Sequence, residues 1–107
     1  MCAMAVSGEL EQAVMNILWA RPDSVSVRDV HDLLSADRDL AYTTVMTVLD
    51  RLAKKGLATR HLEGRAWLYR PARTQADELS ASIIASLVKL DPAERRDVLA
   101  AVAAAFA

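Results

Sequence analysis

Leu10, Ala13, Val14, Ile17 and Leu18 recur at i, i+3, i+4, i+7 and i+8, the spacing of one face of an α-helix. Ser7 is placed to cap that helix, Glu9 and Glu11 suit the positive end of its dipole, and Arg21-Pro22-Asp23 ends it. A second helix is expected from Ser26, with Asp29 completing a capping box and Val27, Val30, Leu33 and Leu34 turned inward. Ser35 to Asp39 reads as a short polar turn.

The stretch from Tyr42 to Lys55 sets propensity against periodicity. Thr43, Thr44, Val45, Thr47 and Val48 are β-branched and favour a strand. Val45, Val48, Leu49 and Leu52 nevertheless follow helical spacing, alternation with period two is absent, and Gly56 stands where a left-handed helix terminus belongs. The periodicity predicts a helix. Beyond it, Leu57–Leu62 and Ala66–Arg70 read as two short strands around a turn at Glu63-Gly64-Arg65, closed by Pro71. Three helices and then a hairpin, within about 70 residues, is the order of a winged helix-turn-helix.

The last third differs in kind. Thr74 and Asp77 form a second capping-box pattern ahead of an apolar stripe of Leu79, Ile83, Ile84, Leu87, Val88 and Leu90. Asp91-Pro92-Ala93-Glu94 then opens another helix, whose apolar side is Val98, Leu99, Val102 and Phe106. Two such helices cannot enclose a core of their own and need a partner surface. The expected architecture is therefore mainly α with a small β-hairpin. Residues 7–73 form a winged-helix DNA-binding domain, and residues 74–107 a two-helix dimerisation tail built on Leu79, Ile83, Leu87, Leu90, Val98, Leu99, Val102 and Phe106.

Composition narrows the class further. Hydrophobic residues make up 53% of the 107, enough for a packed core. Met1–Ser7 lacks the charged start of a secretory signal, and Val98–Ala107 is too short to span a bilayer, so a cytoplasmic protein without membrane contact is expected. With Cys2 the only cysteine, no intrachain disulfide or cysteine metal cluster is available, and no cofactor or metal is expected. The net charge of −1 conceals a segregation: residues 51–73 hold seven basic side chains against Glu63 alone, whereas the flanking segments are acidic. A basic block in an acidic chain is the footprint of a phosphate-binding surface, although charge alone fits a solvated face equally well.

Opposite the apolar side of the third helix lie Thr43, Thr47, Asp50 and Lys54, flanked by Met46 and Arg51, with Thr44 at the edge. Threonine can bond base edges and touch the thymine methyl, and arginine can fork onto guanine. Ordinary solvated surface is the plain alternative, but exposed helix positions gain nothing from threonine. Asp50 can pair with Lys54 one turn on. Arg60, Arg65, Arg70 and Arg73 fall on or beside the hairpin, where arginines can reach flanking phosphates. Trp67 and Tyr69 share a strand face; packing the hairpin onto the helices is preferred to stacking on nucleic acid, and Trp19 is read as core. The two histidines stand far apart, His31 reads as a surface residue, and no HExxH, GxSxG, P-loop or CxxC occurs, so no enzyme is expected.

The stretches ELEQAVMNILW (Glu9–Trp19) and DLAYTTVMTVLDRLAKKG (Asp39–Gly56), with the hairpin end Tyr69-Arg70-Pro71, resemble the penicillinase-repressor family of bacterial winged-helix transcriptional regulators, the BlaI/MecI type. The likeness covers about residues 7–73. It implies a homodimeric repressor on a pseudo-palindromic double-stranded DNA operator, with DNA-reading positions at Tyr42, Thr43, Thr44, Thr47 and Arg51. Three departures stand out. Ala41 replaces the usual capping serine, so Asp39 is expected to cap the helix instead, and Met46 stands where some members carry a basic residue. The tail is shorter by about one helix and holds no Asn-Phe pair like the family's induction cleavage site, so induction by a cleaving sensor is not expected and any upstream sensor is unknown. Nor does the tail carry the C-terminal cysteines of the copper-responsive branch. Two other readings stay open: a winged helix used for protein–protein contact, and a ligand-sensing regulator of another winged-helix family.

Overall fold

The computed structural model describes residues 8–107 except Pro22. The expected cap at Ser7, the region of Cys2 and the stop at Pro22 lie outside the described residues. The chain forms two compact units, the first running to Gln75 and the second spanning Ala76–Ala107.

In the first unit, helices α1 (Glu9–Ala20), α2 (Val27–Leu34) and α3 (Tyr42–Lys54) pack beside a sheet of β1 (Val25–Ser26), β2 (Ala58–Glu63) and β3 (Ala66–Pro71). The core draws one stripe from each helix: Val14, Met15 and Leu18 from α1, Val30 and Leu34 from α2, and Val45, Val48, Leu49 and Leu52 from α3. Leu57, Ala58, Tyr69 and Val25 close it from the sheet side. On α3, burial outweighs the β-branched propensity, because four apolar side chains at helical spacing reach the core only if the segment is helical.

Local chemistry sets the element ends. The Ser26 hydroxyl accepts from the Asp29 N–H at 3.1 Å and the Asp29 carboxylate accepts from the Ser26 N–H at 3.1 Å, completing the box that starts α2. Gly56, at φ 81°, lets the Leu57 N–H turn back to the Leu52 carbonyl at 3.0 Å and stops α3. Gly64, at φ 64°, turns the hairpin, which pairs Leu62 with Trp67 and Arg60 with Tyr69.

Several expectations change. The sheet has a third strand: β1 pairs antiparallel with β3, giving the order β1-β3-β2. Leu33, expected inward, is exposed, because the buried side of the short α2 is taken by Val30 and Leu34. Asp39 does not cap α3; Ala41 holds the cap position with no side-chain bond, and its carbonyl accepts from the Thr44 and Val45 amides. His31, read as a surface residue, keeps only 25% of its side-chain exposure. It is half-buried, donates from Nε2 to the Leu40 carbonyl at 2.8 Å and meets the Tyr42 ring edge-on at 5.7 Å. Trp67 is exposed while Tyr69 is core, so the packing expected of both holds for one. Trp19 packs against the core and donates from Nε1 to the Arg73 carbonyl at 3.1 Å.

The second unit consists of α4 (Gln75–Leu87) and α5 (Pro92–Ala105). Asp91 caps α5 through the Glu94 N–H at 2.8 Å with Pro92 in the first turn, as the sequence pattern requires. Arg95 donates to the carbonyls of Leu87, the last residue of α4, at 3.1 Å and of Leu90, in the turn that follows, at 2.8 Å. Leu79, Ile83, Ile84, Val88, Val98, Leu99, Val102 and Phe106 are all exposed in the single chain, and Leu87 and Leu90 are half-buried. None of the described helices is long and apolar enough to cross a membrane.

Candidate nucleic-acid interface

Burying Val45, Val48, Leu49 and Leu52 fixes the rotation of α3 and turns Tyr42, Thr43, Thr44, Met46, Thr47, Arg51 and Lys54 to the solvent. The Thr47 hydroxyl donates to the Thr43 carbonyl at 3.0 Å, so its oxygen presents lone pairs outward. The hairpin stands beside this face. Ser26, Arg28, Tyr42, Met46, Arg65 and Trp67 are among the residues that border a slot of about 440 Å³ between the hairpin and the helices.

Carboxylates sort the basic block. Lys55 turns away from the face and meets Glu11 of α1 at 2.8 and 3.0 Å, with its side chain only 14% exposed and that of Glu11 6%. Lys54 pairs with Asp50 at 2.9 Å, and Arg60 reaches the other Asp50 oxygen at 3.1 Å. The hydrogen bond from Lys54 holds the Asp50 carboxyl below its ordinary value of 3.8, helped by the charges of Lys54 and Arg60 and opposed by partial burial. Bonding to the Tyr69 hydroxyl, with Asp50 beside it, raises Arg60 further. Arg51, Arg65 and Arg70 form no ion pair among the described residues. Of the eight positions expected on the DNA side, six face solvent on α3 and two, Arg60 and Arg65, lie on the hairpin or its turn. Sequence reasoning did not single out Arg28, which the fold brings to the slot. It also missed the inward turn of Lys55, because its partner Glu11 lies 44 residues away.

No group of three or more potential ligands that could hold a metal occurs among the described residues. Residues 7–105 match the penicillinase repressor family. The chain belongs to that family. It is 54% identical over 77 residues to the transcriptional regulator BlaI of Mycobacterium tuberculosis, an alignment covering 72% of this chain and 55% of that protein. The chain thus spans about half the length of the curated relatives it matches. Among penicillinase-repressor structures, the DNA-binding domain of the repressor BlaI superposes with a TM-score of 0.62 at 31% identity, covering 72% of this chain and 93% of that one. The monomeric form of Bacillus licheniformis BlaI in complex with the blaP half-operator superposes with a TM-score of 0.58 at 30% identity, over 72% and 93% of the two chains.

Proposed function

We propose that this penicillinase-repressor chain represses transcription by binding a pseudo-palindromic double-stranded DNA operator as a homodimer. The observation that carries the reading is the outer face of α3: threonines, a methionine and an arginine with no ion pair among the described residues, on a helix whose other side is locked into the core. Its winged-helix relative bound to a half-operator supports the same placement. Arg51 then forks onto a guanine, and the Thr47 oxygen, its proton committed to Thr43, accepts from the amino group of adenine or cytosine. Tyr42, Thr43 and Thr44 border the same groove floor at the start of the helix, while Lys54 and Arg65 meet backbone phosphates.

Dimerisation rests on the tail. Each leucine-sized side chain moved out of water is worth about 1.5–3 kcal/mol, and α4 and α5 leave Leu79, Ile83, Val98, Leu99, Val102 and Phe106 exposed in one chain. Leu87 and Leu90, half-buried in one chain, are assigned to the same interface. A second copy covers it symmetrically, and two-fold symmetry sets two copies of α3 about 34 Å apart, in successive major grooves. Selection of bound duplexes from random DNA, with sedimentation of the full chain, tests both parts. Two inverted half-sites and a dimer at micromolar concentration are expected. A monomer at that concentration, or enriched sites without two-fold symmetry, refutes the proposal.

A further inference from the structure

Asp50 is a negative charge on the face of α3 that is read as approaching phosphate, where a carboxylate opposes binding. Its contacts give a reason for its presence. One oxygen takes Lys54 at 2.9 Å and the other takes Arg60 Nη1 at 3.1 Å, from strand β2. The same Nη1 donates to the Tyr69 hydroxyl at 3.1 Å, and the guanidinium lies 4.6 Å from the centre of the Trp67 ring. Tyr69 is anchored in the core while Trp67 is exposed near the tip of the hairpin. Arg60, on β2, therefore ties the recognition helix, through Asp50, to two residues of β3: Tyr69 in the core and Trp67 on the exposed wing. A planar guanidinium suits this task, since it can stack on an aromatic ring while donating in its own plane.

Trp67 in turn walls the slot that Tyr42 and Met46 also border. Arg28 and Arg65 stand at this slot, and neither has an ion-pair partner among the described residues. Ser26 and Val27, where α2 begins, complete the lining, with the Ser26 amide already held by Asp29. Two cations beside an apolar wall match one phosphodiester with its deoxyribose. Resting on the DNA-binding reading, we propose that Asp50 is a positioning residue: through Arg60 it latches the wing to the recognition helix and holds Trp67 so that the slot accepts a segment of DNA backbone. Arg60 on this view serves binding without touching DNA, in contrast to the direct contact expected from sequence.

The two roles of Asp50 predict opposite signs. As a mere negative charge, its neutralisation strengthens binding to every duplex. As a latch, its neutralisation weakens binding to the preferred duplex while leaving non-specific binding equal or stronger. The test uses the full chain, Asp50→Asn, Arg60→Gln and the double variant, with a duplex selected from a random library by the wild type and poly(dI-dC) as the non-specific probe. Each single change is expected to weaken binding to the selected duplex by roughly tenfold, and the double change to cost no more than either alone, as for two residues acting through one contact. Asp50→Asn should hold poly(dI-dC) at least as well as the wild type. Without DNA, both single variants should shift the Trp67 indole N–H resonance, with Trp19 as internal reference. If the wild type binds no duplex, the DNA-binding reading falls. If it binds and Asp50→Asn binds the selected duplex more tightly, or the two losses multiply, the latch alone is overturned.

Discussion

Glu11→Gln removes one charge from the Glu11–Lys55 pair while nearly keeping shape, and the structure sets the size of the effect. Glu11 lies in the first turn of α1 and Lys55 at the end of α3, joined by two bonds of 2.8 and 3.0 Å with little solvent access to either side chain. Breaking a buried pair from one side costs about 3–5 kcal/mol, because the remaining charge stays enclosed. Lys55 keeps 14% of its exposure and follows the negative end of the α3 dipole, both of which soften the loss, so a value near the lower bound, about 3 kcal/mol, is expected.

For a unit of this size, 1 kcal/mol moves Tm by about 4–8 °C, so a fall of roughly 12–24 °C should follow. Circular dichroism during thermal and urea unfolding of the full chain reads it. The pair Arg38–Glu9 is an internal control: its 3.1 Å contact looks as good, but Glu9 is 85% exposed, so Glu9→Gln should cost under about 1 kcal/mol. Replacing Glu11 and Lys55 together by leucine and methionine should recover most of the loss. A Glu11→Gln protein within about 0.5 kcal/mol of the wild type would refute the reasoning, since that is the size of an ordinary surface change.

Arg51→Ala should cost about 1–3 kcal/mol on the selected duplex and relax preference at one position, with equal loss on random DNA counting against base reading. A chain ending at Gln75, which keeps the bond from Trp19 to the Arg73 carbonyl, should remain folded yet sediment as a monomer and bind a two-site duplex far more weakly; equal affinity would remove the tail from the account. The depressed Asp50 value gives a pH signature: its ion pairs stabilise the fold above the ordinary value of 3.8 and are lost as pH falls through the lower folded value. With the hairpin histidine removed by His61→Gln, the Trp67 resonance should therefore stay constant from about pH 8 to about pH 5, and movement within that window would contradict the assignment.

Most of the first unit was legible because its elements are amphipathic in the simple sense. Val45, Val48, Leu49 and Leu52 identified α3 against five β-branched residues, and all four are buried. The hidden features depend on contacts distant in sequence. Strand β1 is two residues long, too short for any alternation, and exists through Val25 and Ser26 pairing with Tyr69 and Leu68. Trp67 and Tyr69 share a strand face, but Tyr69 stands over the helices while Trp67 lies two residues nearer the turn, past the edge of the core. His31 looked like a surface residue beside Asp32, and the fold brings the Leu40 carbonyl to its ring. The tail was legible as helices, since the cap of α5 is local, and in a single chain most of its apolar side chains are exposed.

The same sorting of partners bears on how binding should respond to salt. Seven basic residues in 51–73 suggest up to seven phosphate contacts per protomer, and at about 0.9 per neutralised phosphate that gives a slope of log affinity against log salt near −6. The structure withdraws cations from that count. Lys55 is spent on Glu11 inside the fold, and Arg60 on Asp50 and Tyr69. Arg51 is assigned to a base, and Arg73 has an interaction within the fold. Arg65, Arg70 and the solvent-facing Lys54 remain, joined by Arg28 from outside the block. Three or four phosphates per protomer correspond to a slope of about −3 to −4. Titrating one half-site with the full chain at several salt concentrations, counted per bound protomer, decides between the two values. A slope near −6 would mean that the intramolecular pairs open on DNA and hand their cations to phosphate, and the carboxylates would then have no part in shaping the interface.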